Sequence, residues 1–201
     1  MTGVTDRTKF GLGLAGSLFV LFVTMPALAH VGGHGAAGGF ASGFAHPLGG
    51  LDHVVAMVAV GLWGAVLGAP AIWLLPVVFP LVMALGGALG AAGIDIPWVE
   101  VGIALSAVVL GAMVAGAVKA PLWIAAILVG AFAIFHGHAH GTELPAGTDA
   151  LGYSAGFVVA TGLLHLAGIA LGNLNALRAG EWIVRAGGAA ISLAGVFFLL
   201  R

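Results

Sequence analysis

Six apolar runs, separated by short connections, dominate the sequence. Each is close to the roughly 20 residues that an α-helix needs to cross the hydrocarbon core of a bilayer. Because lipid offers no hydrogen-bond partner to backbone groups, such spans must be helical. The runs cover residues 48–68, 70–93, 97–118, 121–142, 150–172 and 181–200. The sequence therefore predicts an all-α integral membrane helical bundle with about six transmembrane helices.

Composition narrows the partners that such a bundle can have. The chain is 61% hydrophobic and 6% charged, with a net charge of −1. It offers no basic patch, so we expect the lipid bilayer and no nucleic acid as a partner. With no cysteine in the chain, a bound metal must take nitrogen, oxygen or thioether ligands. The 35 glycines predict closely packed helices, and the oligomeric state stays open.

The amino-terminal segment has the pattern of a secretory signal peptide. Residues 1–29 hold two early basic residues and a short apolar core, and they end in Ala27-Leu28-Ala29. Cleavage there makes residues 30–201 a single six-helix membrane domain whose mature amino terminus lies outside. The alternative is an uncleaved signal anchor, which sequencing of the mature amino terminus distinguishes.

The glycine- and alanine-rich residues 30–45 have no apolar face, and we expect them to form a mobile outer segment. If cleavage occurs, His30 becomes the terminal residue, and its α-amine and imidazole together form a metal chelator. The alternative is a flexible tail whose histidine has no function.

The fourth apolar run ends in the sequence FHGHAHGTELP, which combines histidines with a carboxylate. At about 100° per residue, a helix places His136, His140 and Glu143 on one face and His138 on the opposite face. Two imidazoles and a carboxylate on one side can bind a borderline divalent ion such as nickel, cobalt, zinc or copper. The alternative is a polar helix end that lies at the lipid headgroups.

A second polar group stands at the start of the first run. If one helix includes them all, His46, His53 and Met57 share a stripe. Asp52 is offset from His53, which suits a carboxylate that accepts the other N–H of a metal-bound imidazole. For Met57 the alternative of a packing or lipid-facing residue is favoured.

One histidine lies deep within the fifth run. His165 has apolar sequence for a full helical turn on either side. A lone buried histidine is usually structural, whereas in a chain with two histidine motifs it can serve as a deeper metal ligand or proton acceptor.

The charges predict how the helices are oriented. Short connections favour consecutive helices as antiparallel neighbours. With the mature terminus outside, Lys119, Arg178 and Arg185 fall on the cytoplasmic side, as the positive-inside rule requires. Both histidine motifs then fall on the outer side of a bacterial inner membrane.

Together, His46-Pro47-x-x-Gly50-x-Asp52-His53 and Phe135-His136-Gly137-x-Ala139-His140-Gly141-x-Glu143 resemble the motifs of the HupE/UreJ family. The resemblance implies a secondary permease for nickel, or in some members cobalt, that supplies hydrogenase or urease maturation. The ion would be cargo, with no prosthetic group and no enzymatic activity. The metal-handling residues that the resemblance implies are His46, Asp52, His53, His136, His140 and Glu143.

Two other functions remain open from the residues alone. A membrane-embedded zinc hydrolase also uses histidines, a carboxylate and a water on an open metal position. A metal-binding accessory protein would instead hand ions to another transporter. Uptake by the purified protein in liposomes separates transport from both.

Overall fold

The computed structural model describes residues 36–144, 147–177 and 179–201, and no β-strand occurs among them. The predicted signal peptide and His30 lie outside the described residues. Seven α-helices and one short 3-10 helix, Asn173–Ala176, make up the described part. The α-helices are α1 (Ala36–Gly49), α2 (Leu51–Leu67), α3 (Ala71–Ala91), α4 (Val99–Ala115), α5 (Leu122–Thr142), α6 (Ala150–Gly172) and α7 (Gly180–Leu199).

By length and composition, four of these elements can each cross a bilayer. They are α3, α5, α7 and the unit that α6 forms with the 3-10 helix, Ala150–Ala176. The helices α1 and α2 pass that test only as a pair, which is bent by 85°, and α4 has 17 residues. A multi-pass helical membrane bundle is therefore confirmed, with four or five candidate spans among the described residues where the sequence predicted six.

The expectation that residues 30–45 form a mobile segment is wrong for the part that the structure describes, because α1 covers it from residue 36 onward. This helix packs along α6. A side chain at Gly43 would collide with the backbone of Tyr153, and one at Gly156 would collide with the carbonyl of Phe40. The glycines thus let two backbones approach closely, which stabilises a helix that has no apolar face of its own.

The expectation that consecutive helices are neighbours holds only in part. The most extensive contacts join α3 with α5, α4 with α7, and both α1 and α2 with α6. Gly137 and Gly141 explain the first pair, because a Cβ on either would meet the backbone of Met83 or Gly87 on α3. These two glycines hold α5 against α3 and leave the neighbouring histidines free to face other helices.

The two ends of the bundle carry different charges. At one end, Asp52, Glu143 and Asp149 lie near the helix termini, and we call it the Glu143 end. At the Lys119 end, Lys119 donates to the carbonyl of Val66, and Arg185 Nε donates to a carbonyl at the end of α4 at 2.8 Å. Arg178 lies outside the described residues.

This division agrees with the charge pattern behind the predicted orientation, while the orientation itself stays a prediction. Two open cavities of about 210 and 240 Å³ also lie at the Lys119 end.

Candidate metal-binding site

The helix α5 continues unbroken through its histidines, and the Glu143 N–H donates to the Ala139 carbonyl at 3.1 Å. Regular helical spacing therefore sends His136 and His140 to one side. His138 points elsewhere, and its Nε2 donates to the Ile94 carbonyl at 2.8 Å. This separation of faces agrees with the helical geometry expected from the sequence.

The first motif is divided between two helices. His46 lies in the last turn of α1, the chain bends by 85°, and Asp52 and His53 open α2 after Gly50. The stripe expected for a single continuous helix is therefore wrong, because Gly50 has extended backbone angles (φ −108°, ψ 112°). Met57 is fully buried in the apolar core, as its packing alternative predicts.

The bend places His46 over the end of α5, where three ligand atoms converge. His46 Nε2 donates to Glu143 Oε2 at 2.9 Å, and His140 Nδ1 lies 3.8 Å from the same oxygen. One ligand atom from each of the three residues lies within 4.8 Å of the other two. Two imidazoles and one carboxylate are a donor set suited to a borderline divalent ion.

Two more imidazoles continue from this group into the bundle. The His53 ring centroid lies 4.4 Å from that of His140 and 4.8 Å from that of His136. We call the contiguous set His46, His140, His53 and His136 the histidine column. Side-chain exposure falls from 56% at Glu143 to 27% at His46 and 11% at His53, and His136 is 0% exposed. The column therefore leads from the surface to the interior.

Hydrogen bonds fix which nitrogen His53 offers to the column. Its Nδ1 donates to Asp52 Oδ1 at 2.8 Å, so the neutral ring carries its lone pair on Nε2. That Nε2 is buried without a hydrogen-bond partner. Metal-bound histidines usually give their other ring N–H to such an acceptor, so Asp52 orients His53 for binding.

Ser106 on α4 does the same for His136. The Ser106 hydroxyl has one proton, which it donates to the Ile103 carbonyl at 2.6 Å, so its oxygen accepts from His136 Nε2 at 2.9 Å. The lone pair of the neutral ring is then on Nδ1, which is buried without a partner. Because an unpartnered buried acceptor is costly, the arrangement fits a ring prepared to bind a cation.

Comparison with known proteins decides the family. The family model described as HupE / UreJ protein matches residues 18–198. The chain belongs to the HupE/UreJ family. Protein HupE of Rhizobium leguminosarum bv. viciae is 49% identical over 184 residues, which cover 92% of this chain and 95% of that protein. No solved structure matches the chain.

The structure thus brings together the residues of both HupE/UreJ motifs, and their role in metal handling stays a prediction. Four histidines and Glu143 lie in contact along the column, and Asp52 contacts it through His53. His165 does not join them, because it lies deeper, on α6, with the ring of Phe79 between it and His136.

Sequence reasoning missed the residues that support the HupE/UreJ motifs from other helices. Ser106 was one, and Tyr153 and Phe157 on α6 were others. The Phe157 ring centroid lies 4.3 Å from that of His140, and the Tyr153 ring lies 5.6 Å from His46. A hydroxyl inside an apolar run is the one signal in the sequence that could have pointed to Ser106.

Proposed function

We propose that this HupE/UreJ protein is a secondary permease for Ni²⁺, or alternatively Co²⁺, that takes up the ion through the histidine column. The observation that carries the proposal is the column itself, since buried imidazole lone pairs from α2 and α5 continue inward from an exposed carboxylate. The cargo would supply the maturation of a metalloenzyme, hydrogenase or urease.

The donor set explains how a dication could enter an apolar bundle. A bare dication is prohibitively costly in a low-dielectric interior. Imidazoles replace several of its waters, and the carboxylates of Asp52 and Glu143 offset part of its charge. Magnesium prefers oxygen ligands and loses its water reluctantly, so a column of imidazoles disfavours it.

The proposed orientation puts the column on the outer side of the bacterial inner membrane. The basic residues at the Lys119 end support it, since such residues favour the cytoplasmic side. An inside-negative potential then favours inward movement of a dication by about 4.6 kcal/mol per 100 mV, twice the value for a single charge.

Uptake by the purified full chain tests the proposal. In proteoliposomes with an inside-negative potential, we expect accumulation of radioactive nickel that an excess of magnesium does not abolish. The matched control is the double variant His53→Ala, His140→Ala, which should accumulate no more than empty liposomes. If the unaltered protein transports no faster than this variant while still binding nickel, an accessory role replaces the permease.

A further inference from the structure

Two polar side chains lie deep in α6, away from the histidine column, and neither has a hydrogen-bond partner. Thr161 is 0% exposed and His165 is 1% exposed. The Thr161 hydroxyl and both ring nitrogens of His165 are buried and unpartnered. Residues one helical turn apart lie on the same face, so Thr161 and His165 share one face of α6.

His165 lies near the inner end of the column, separated from it by one side chain. The Phe79 ring lies between the two histidine regions, with its centroid 5.5 Å from the ring of His136 and 5.3 Å from the ring of His165. At about 1.5 Å per residue, His165 is about 22 Å along α6 from its first residue, Ala150. His165 therefore lies beyond Phe79, toward the Lys119 end, and Thr161 lies one turn nearer the Glu143 end.

A backbone carbonyl oxygen on α3 is a third group that could bind a metal ion here. Pro80 has no N–H, so the Pro76 carbonyl lacks the partner that a regular helix would supply four residues later. Pro76 lies about one turn before Phe79, whose ring centroid is 5.3 Å from that of His165. Pro80 thus leaves the Pro76 carbonyl without its usual helical donor, on the helix whose Phe79 contacts His165.

We propose that Thr161 and His165, with the Pro76 carbonyl, form a second and inner binding site for the transported ion. This inference rests on the proposed permease function and deepens it. An imidazole, a hydroxyl and a carbonyl are all neutral donors, so the inner site holds a dication more weakly than the column with its two carboxylates. Weak binding at a second position suits an ion that must leave again.

The burial of these atoms distinguishes a binding role from a packing role. Buried polar groups without partners destabilise a fold, so replacing them with apolar groups of similar size should leave stability unchanged or raised. If they bind the ion, the same replacements should lower transport. A purely structural role predicts that stability and transport fall together.

The test uses the full chain in proteoliposomes with four variants. Thr161→Val removes only the hydroxyl at nearly constant size, and Thr161→Ser restores it as the matched control. His165→Leu removes the ring nitrogens. His165→Gln keeps an oxygen atom that can bind a metal ion but does not take up a proton near neutral pH. Initial nickel uptake, nickel affinity in detergent and the temperature of unfolding are measured for each.

We expect His165→Leu to lower uptake about ten-fold or more and Thr161→Val to lower it several-fold, near the losses typical of impaired metal sites. Thr161→Ser should transport nearly as well as the unaltered protein, and His165→Gln should keep part of the uptake that His165→Leu loses. The affinity of the column for nickel and the unfolding temperature should not fall in any of them.

Three results overturn the inner site. One is full uptake by both Thr161→Val and His165→Leu. Another is a loss of uptake accompanied by a lower unfolding temperature, which indicates packing. The third is a His165→Gln variant as inactive as His165→Leu, which indicates a proton acceptor. None of these results contradicts the permease function if His140→Ala still abolishes uptake. The permease function itself is refuted if the unaltered chain takes up no nickel.

Discussion

The two histidine motifs reach the same column by different structural means. In the second motif, one unbroken helix carries His136, His140 and the carboxylate after them, and two glycines fix that helix against α3. In the first motif, His46 and His53 lie on two helices that meet at 85°. The side of the column on α5 is therefore one continuous helix, which we call the rigid side. The other side is the bend between α1 and α2, which we call the joint. Substitutions should act differently on the two sides.

The largest effect is expected on the rigid side. His136→Ala and His140→Ala should each lower nickel uptake by more than the about 10- to 100-fold that loss of an orienting partner costs, because each removes a ligand. His138→Ala on the same helix should keep most of the uptake per folded molecule, since its ring faces Ile94. Equal losses at all three positions would mean that the column does not bind the ion.

A smaller loss is expected at the joint, where neighbouring glycines provide a matched pair. A Cβ at Gly50 would lie 2.8 Å from Asp52 Oδ1 and 3.0 Å from His53 Nδ1, whereas one at Gly49 would meet nothing within 4 Å. Gly50→Ala should therefore displace the Asp52–His53 pair and lower uptake by about 10- to 100-fold, with the protein still folded.

Gly49→Ala should transport normally. Liposome uptake, normalised to the amount of inserted protein, measures both variants. An unaffected Gly50→Ala would show that the hydrogen bond from His53 to Asp52 does not matter for transport.

A substitution of Ser106 should have a smaller effect on the rigid side, because Ser106 contacts His136 without being a proposed metal ligand. Ser106→Ala should weaken nickel binding by about ten-fold, the low end of the range for orienting partners, since a neutral hydroxyl holds the ring less firmly than a carboxylate. Ser192 is the matched control, because its hydroxyl donates to the Val108 carbonyl at 2.9 Å away from the column. Equilibrium dialysis should show unchanged affinity for Ser192→Ala, and equal losses in both variants would refute the orienting role.

The smallest effect on transport is expected at His138, where the loss is in stability. His138→Ala removes the donor to the Ile94 carbonyl and should lower the free energy of unfolding by about 1–3 kcal/mol. His138→Gln retains a donor and should recover part of that loss. Denaturant unfolding in detergent measures both variants, and a fully stable His138→Ala would show that this hydrogen bond contributes nothing.

The contrast between the two sides also explains what the sequence could predict. Spacing along one helix determines the faces of His136, His138 and His140, so simple angular arithmetic was sufficient there. The same arithmetic failed for His46, because a single extended residue, Gly50, resets the direction of the chain. Hydropathy identified the helical membrane class in the same way, from properties local to each run.

Contacts between side chains of different helices could not be predicted from the sequence. Ser106 and His136 are 30 residues apart, and no spacing rule pairs residues from different helices. The described part of the segment, residues 36–45, was misjudged because its stability comes from close backbone approach to α6, which an apolar-face criterion does not detect. Its glycines carried the relevant signal, since small residues repeat four apart at Gly39 and Gly43.

The helix α1 packs mainly on α6, which is distant in the sequence, and only slightly on α2, which follows it directly. His46 precedes α2 in the chain, yet the helix that carries it contacts α6 far more than α2. Because α2 also packs extensively on α6, this one helix holds the helices of both His46 and His53. The bend at Gly50 therefore joins two helices that share α6 as their support, and α6 also carries Thr161 and His165.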